Sequence, residues 1–100
     1  MKTDGLAKVL KALAHPLRLE IVKMLEKEPL CVCVINEKFG STQPNISQHL
    51  KILKDAGILT SKKEGTLVIY SVKYEEVFEI IQKAEKIIKN EINNLGYKEV

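Results

Sequence analysis

Residues 42–57 read TQPNISQHLKILKDAG, and what this segment becomes decides the reading of the whole chain. Ile46, Leu50 and Leu53 recur at spacings of four and three, which is one face of a helix. Thr42 suits the N-cap, because its hydroxyl can accept from a free N–H of the first turn. Pro44 is tolerated in that turn, where its missing N–H costs nothing. Gly57 closes the helix. With the apolar trio turned inward, Pro44, Asn45, Ser47, Gln48 and Lys51 turn outward, and Gln43 stands at the leading end. Amide and hydroxyl side chains at a helix start can bond base edges, and lysines farther along suit phosphates.

The flanking segments support that use. Upstream, a short helix over about 31–39 buries Val32, Ile35 and Phe39, and Gly40 follows at a position typical of a C-terminal cap. Downstream, ILTSKKEGTLVIYSV (58–72) changes period and reads as strand, Glu64-Gly65 turn and strand, a β-hairpin with Lys62 and Lys63 beside its tip. Two short helices joined by a tight turn and followed by a hairpin describe a winged helix-turn-helix. Farther upstream, Leu6, Val9, Leu10 and Leu13 mark a first helix, broken at Ala14-His15-Pro16. Pro16 then opens a second helix, with Leu17, Ile21, Met24 and Leu25 inward. From about Tyr74 to Leu95 the helical period returns in Val77, Ile81, Ala84, Ile88, Ile92 and Leu95, widened by Ile80 and Ile87. The expected order is α-α-α-α-β-β-α, a mainly α fold with a β-hairpin. Residues 1–100 are expected to form a single domain whose first and last helices serve dimerisation.

Charge follows the same division. Between Lys38 and Lys63 stand five lysines and one acid, a net +4, whereas the whole chain carries +3. A basic face over the proposed helix and wing is what phosphate contact requires. This assigns Gln43, Asn45, Ser47 and Gln48 to base edges. Thr42, Lys51, Lys62 and Lys63 go to phosphates, with Lys54 also well placed for one. The expected partner is double-stranded, pseudo-palindromic DNA. A protein-interaction module that kept the fold without DNA affinity is the competing class, and the basic stretch argues against it.

KALAHPLRLEIVKML, LCVCVINEKFG, TQPNISQHLKILKDAGIL and KKEGTLVIYSV resemble successive segments of the ArsR/SmtB metal-sensing repressors, over about residues 6–72. The resemblance implies a homodimeric repressor that leaves its operator when an inducer binds. It also gives a meaning to Cys31 and Cys33, the only cysteines. In the arsenic and soft-metal branch, the helix before the recognition helix carries a Cys-x-Cys. Thiolates suit As(III), Sb(III), Cd(II), Pb(II), Hg(II) or Cu(I), so the pair is the expected metal site for an inducer, with no permanent cofactor. The chain departs from the branch in having Asn36 at the place of a third cysteine and Val34 where an acid often follows. Residues i and i+2 of a helix point about 160° apart, so a shared ion is expected to need an unwound start of the third helix. A redox or persulfide switch on the same thiols is the alternative, and a purely structural pair is the bland one.

Other chemistries find less. The last helix has glutamates and no histidine, which disfavours a zinc site there, and Glu75, Glu76 and Glu79 read as a solvated face. His15 is expected to cap or pack at the helix break, and His49 to pack or meet phosphate. There is no Cys-x-x-Cys after a strand, no Gly-rich phosphate loop and no Ser/His/Asp arrangement, so no enzyme is expected. No apolar run is long enough to span a membrane and no secretory signal is legible, which places the expected site of action in the cytoplasm.

Overall fold

The computed structural model describes residues 2–40 and 45–95. Its elements run α1 (Thr3–Leu13), α2 (Pro16–Leu25), β1 (Leu30–Cys31), α3 (Val32–Phe39), α4 (Ile46–Asp55), β2 (Leu59–Glu64), β3 (Leu67–Val72) and α5 (Glu76–Asn94). The expected mainly helical, winged architecture is present. One element is new: the two-residue strand β1, which pairs antiparallel with β3 through Leu30 opposite Tyr70 and Cys31 opposite Ile69. The sheet order is therefore β1-β3-β2. Two residues carry no readable alternation, so only the long-range pairing reveals the strand.

Local chemistry explains the boundaries. Pro16 opens α2, and His15 caps it by accepting the Leu17 N–H at Nδ1, 3.0 Å away. Helix α4 ends in a glycine-terminated motif. Gly57 takes φ +80°, its N–H donates to the Lys54 carbonyl, and the Ile58 N–H donates to the Leu53 carbonyl. Gly40 is a cap of another kind, staying in the right-handed region at φ −62°. In the hairpin Glu64 pairs with Leu67, so the two turn residues are Gly65 and Thr66 rather than Glu64 and Gly65. Gly65 sits at φ +62°, the first-position conformation that a tight hairpin turn of this type demands.

One core joins the helices and the base of the wing. Ile21 and Val22 of α2, Ile35 of α3, Ile46, Leu50 and Leu53 of α4, and Ile58 and Leu59 at the wing base are all fully or almost fully buried. The inward trio of α4 is thus as the period required. Helix α5 joins this core through Val77 and Ile81, and an exposed ion pair ties it to α2, Lys23 Nζ to Glu85 Oε2 at 3.1 Å. Every residue from 82 to 91 is exposed. Leu6 and Leu10, on the apolar face of α1, are also exposed.

Candidate nucleic-acid interface and thiol site

Burying Ile46, Leu50 and Leu53 leaves Asn45, Ser47, Gln48 and Lys51 exposed along one side of α4. Four of the eight expected contact residues therefore share one accessible face. Thr42 and Gln43 lie outside the described residues, as does Pro44. Asn45 precedes the helix and its carbonyl accepts from the Gln48 and His49 N–H groups, which fixes where the first turn begins. Lys51 lies across from Asp55, Nζ to Oδ2 3.0 Å, an exposed i, i+4 pair.

The wing stands beside this helix. Lys54 near the end of α4 donates to Ser61 Oγ in β2 at 2.8 Å, a direct brace between helix and wing. Strand residues alternate in direction, so Ser61 and Lys63 share the face turned toward α4. Lys62 belongs to the opposite face and is bound to Glu64 at 3.0 Å. The two adjacent lysines thus do not form one patch, a distinction that composition could not supply.

The cysteines lie where the sheet meets the helix. Cys31 ends β1 and is the N-cap of α3, with extended backbone at φ −61°, ψ 144°, while Cys33 sits in the first turn. Because Cys31 is outside the helix, the two sulfurs converge without any unwinding, and they are joined in a disulfide with the Cα atoms 5.1 Å apart. The non-helical backbone that a shared ligand was expected to need at the start of the third helix is present at Cys31, supplied by its pairing in β1 rather than by unwinding. The Cys33 N–H donates to Cys31 Sγ at 3.1 Å, so this sulfur also serves as the helix cap. Cys31 is 8% exposed and Cys33 is open to solvent. Among the described residues, no group of three or more His, Cys, Asp or Glu could hold a metal ion. The donor set here is two sulfurs.

A second cluster was not legible in sequence. The rings of His15 and His49 lie 4.6 Å apart at 52°, and Arg18 Nη1 bonds His49 Nδ1 at 3.2 Å. Burial, then the neighbouring His15 and Arg18, lower the His49 pKa below the ordinary imidazole value. The available signal was compositional: Arg18 is the only arginine in a chain with sixteen basic residues.

Residues 15–61 match the family model described as bacterial regulatory protein, arsR family. The chain is 41% identical over 87 residues to an uncharacterized HTH-type transcriptional regulator of Methanocaldococcus jannaschii, covering 86% of this chain and 98% of that protein. It is 37% identical over 75 residues to the arsenical resistance operon repressor of Staphylococcus xylosus, covering 75% of this chain and 72% of the relative. Among solved structures, it resembles the homodimeric winged helix-turn-helix DNA-binding domain of a Mycobacterium bovis protein. The TM-score is 0.77 at 27% identity, over 91% of this chain and 84% of the other. Among the described residues no helix is long and apolar enough to cross a membrane.

Proposed function

The chain belongs to the arsR family of bacterial regulatory proteins, and on that premise we propose that it is a homodimeric repressor released from its operator when a thiophilic ion binds Cys31 and Cys33. It is a transcriptional repressor of the ArsR/SmtB family with a DNA-binding winged helix, and not an enzyme. The finer reading rests on one observation, the convergence of both sulfurs at the junction of β1 and α3. That junction adjoins both DNA-facing parts: β1 pairs with the wing strand β3, and α3 packs against α4. A ligand on the sulfurs acts at a junction in contact with both wing and reading helix, and a coupling of about 1–3 kcal/mol is the usual scale for such linkage.

In reduced form the pair offers two thiolates, which suits As(III) or Sb(III) and the soft ions Cd(II), Pb(II), Hg(II) and Cu(I). A further coordination position on such an ion falls to solvent or a small thiol. The arsenical resistance relative supports the metalloid as the first choice. On the DNA side, Gln43, Asn45, Ser47 and Gln48 read base edges, and Thr42, Lys51, Lys62 and Lys63 meet phosphates. Two copies related by a twofold axis read half-sites about 34 Å apart or a multiple of that.

The disulfide itself favours a second reading. Here a peroxide or polysulfide takes two electrons and two protons from the thiols, and the oxidised protein leaves DNA. One experiment separates the two: titration of the reduced protein–DNA complex with arsenite, antimonite, cadmium, lead, copper(I) and hydrogen peroxide. Release by metalloid or metal under reducing conditions supports the thiolate site. Release by peroxide alone replaces it with the redox switch.

A further inference from the structure

We infer that Arg18 and His49 are positioning residues for operator binding: the bond between them fixes the angle at which α4 is presented to DNA. This rests on the reading that α4 addresses the DNA.

Three helices meet at one guanidinium. Arg18 Nε donates to the Ala12 carbonyl at 2.6 Å, and Nη2 reaches the Lys11 carbonyl at 3.4 Å. Both carbonyls belong to the last turn of α1, where intrahelical donors run out. Nη1 reaches His49 Nδ1 at 3.2 Å in the middle of α4. Arg18 itself lies in the first turn of α2, whose N-cap His15 sets its ring against that of His49. Elsewhere α4 is seated on its apolar side chains Ile46, Leu50 and Leu53, with one exposed brace, Lys54 to Ser61, near its far end. Apolar burial is non-directional. A planar fork holding two carbonyls and one imidazole at once is directional, and lysine cannot reproduce it. The chain uses lysine at every other basic position.

The bond has a protonation requirement. Arginine only donates, so His49 must accept at Nδ1 and keep its proton on Nε2. A proton on Nδ1 removes the acceptor and sets a cation against Arg18. The surrounding charges do not offset this. Arg18 and His15 face His49 from α2. Asp4, Lys8 and Lys11 of α1 line the groove beyond Arg18, joined there by Asp55 of α4 itself. On the β2 side the polar contact to α4 is the Lys54–Ser61 brace. Burial, His15 and Arg18 together lower the His49 pKa. The neutral form is thus favoured in the folded state. The fastening is complete above the ordinary imidazole value of about 6.5 and is lost as pH falls from there through the depressed value.

The test uses the full chain with two duplexes: the tightest one recovered by in vitro selection with wild-type protein, and a scrambled duplex of equal length. The variants are Arg18→Lys, His49→Leu and His49→Asn. Asparagine sets an amide oxygen near the place of Nδ1 and does not titrate. Affinity for each duplex is read across acidic to neutral pH, with thermal melting and sedimentation alongside. Arg18→Lys and His49→Leu are expected to lower the ratio of selected to scrambled affinity about tenfold, the scale of one lost charge-assisted bond, while remaining folded and unchanged in assembly. Wild type is expected to lose that ratio on acidification, and His49→Asn to keep it with a flat profile. The bond is tested from both ends, so a variant that fails to fold leaves the other end decisive. The inference is overturned if the ratio and its pH profile match wild type in all variants, or if both affinities fall only in step with the folded fraction. A wild type that selects no preferred duplex removes the DNA reading itself, a result distinct from either.

Discussion

Cys31 performs two roles that pull on the same sulfur. It caps α3 by accepting the Cys33 N–H, and it is one half of the proposed inducer site. Substitutions separate these roles. Cys31→Ser keeps an oxygen acceptor at the N-cap, so helix, assembly and operator binding should persist. Cys31→Ala removes the cap and should cost about 0.5–2 kcal/mol, measured by urea unfolding under reductant. Cys33→Ser leaves the cap in place. Both serine variants should lose inducer response, because one thiolate cannot chelate, and should lack the sulfur-to-metal charge-transfer absorption of the loaded wild type. Unaltered inducer response in both would make the cysteines structural. The importance of the pair was legible from its isolation in the sequence. Its geometry was not, because the 160° divergence of residues i and i+2 holds only where both lie in one helix, and Cys31 lies outside α3. The strand pairing of Cys31 with Ile69, thirty-eight positions away, is what holds it in extended backbone.

Helix α4 and the wing show what periodicity can and cannot deliver. The inward trio Ile46, Leu50 and Leu53 and the stop at Gly57 follow from spacing and glycine chemistry, and the structure has both. Gly57→Ala should destabilise by about 1–2 kcal/mol, the cost of a left-handed backbone for a residue with a Cβ. An added Cβ meets nothing within 4 Å there, so the loss is purely conformational, and a urea midpoint unchanged from wild type would refute it. The wing lysines were legible as a charge pair but not as two faces. Register separates them, with Lys63 on the α4 side and Lys62 held by Glu64. Lys63→Ala should therefore reduce the salt dependence of DNA binding by about one unit of slope, and Lys62→Ala by less, with sequence preference intact in both. Equal effects, or a changed preference, would show that the wing meets DNA differently. Arg18 was illegible for the opposite reason. Its partners lie at the end of α1 and on α4, and no local pattern marks a contact spanning thirty-one positions.

At the scale of the whole molecule, the chain leaves apolar surface that a lone protomer does not use. Beyond Ile81, α5 departs from the core, with Ile87 65% and Ile88 59% exposed, and Leu6 and Leu10 of α1 stand 50% and 46% open. Between these helices runs an apolar groove of about 390 Å³ lined by Leu10, Leu13, Leu19, Ile80, Ile81 and Ile88. An α5 helix whose buried residues all lie in its first turns, with exposed isoleucines farther along, gains stability by burying them against an equivalent surface. A twofold arrangement supplies that surface without new sequence. The homodimeric Mycobacterium bovis domain supports this occupant. Ile88→Glu is the discriminating change. The side chain is exposed in the protomer, so the fold of each copy should survive, whereas a carboxylate buried between two copies has no partner and is strongly unfavourable. Sedimentation should show dissociation. Binding to the selected duplex should fall to the level of the scrambled one, since a single α4 reads half a site. A wild type that sediments as a monomer at micromolar concentration would leave α5 without its partner and remove the twofold operator with it.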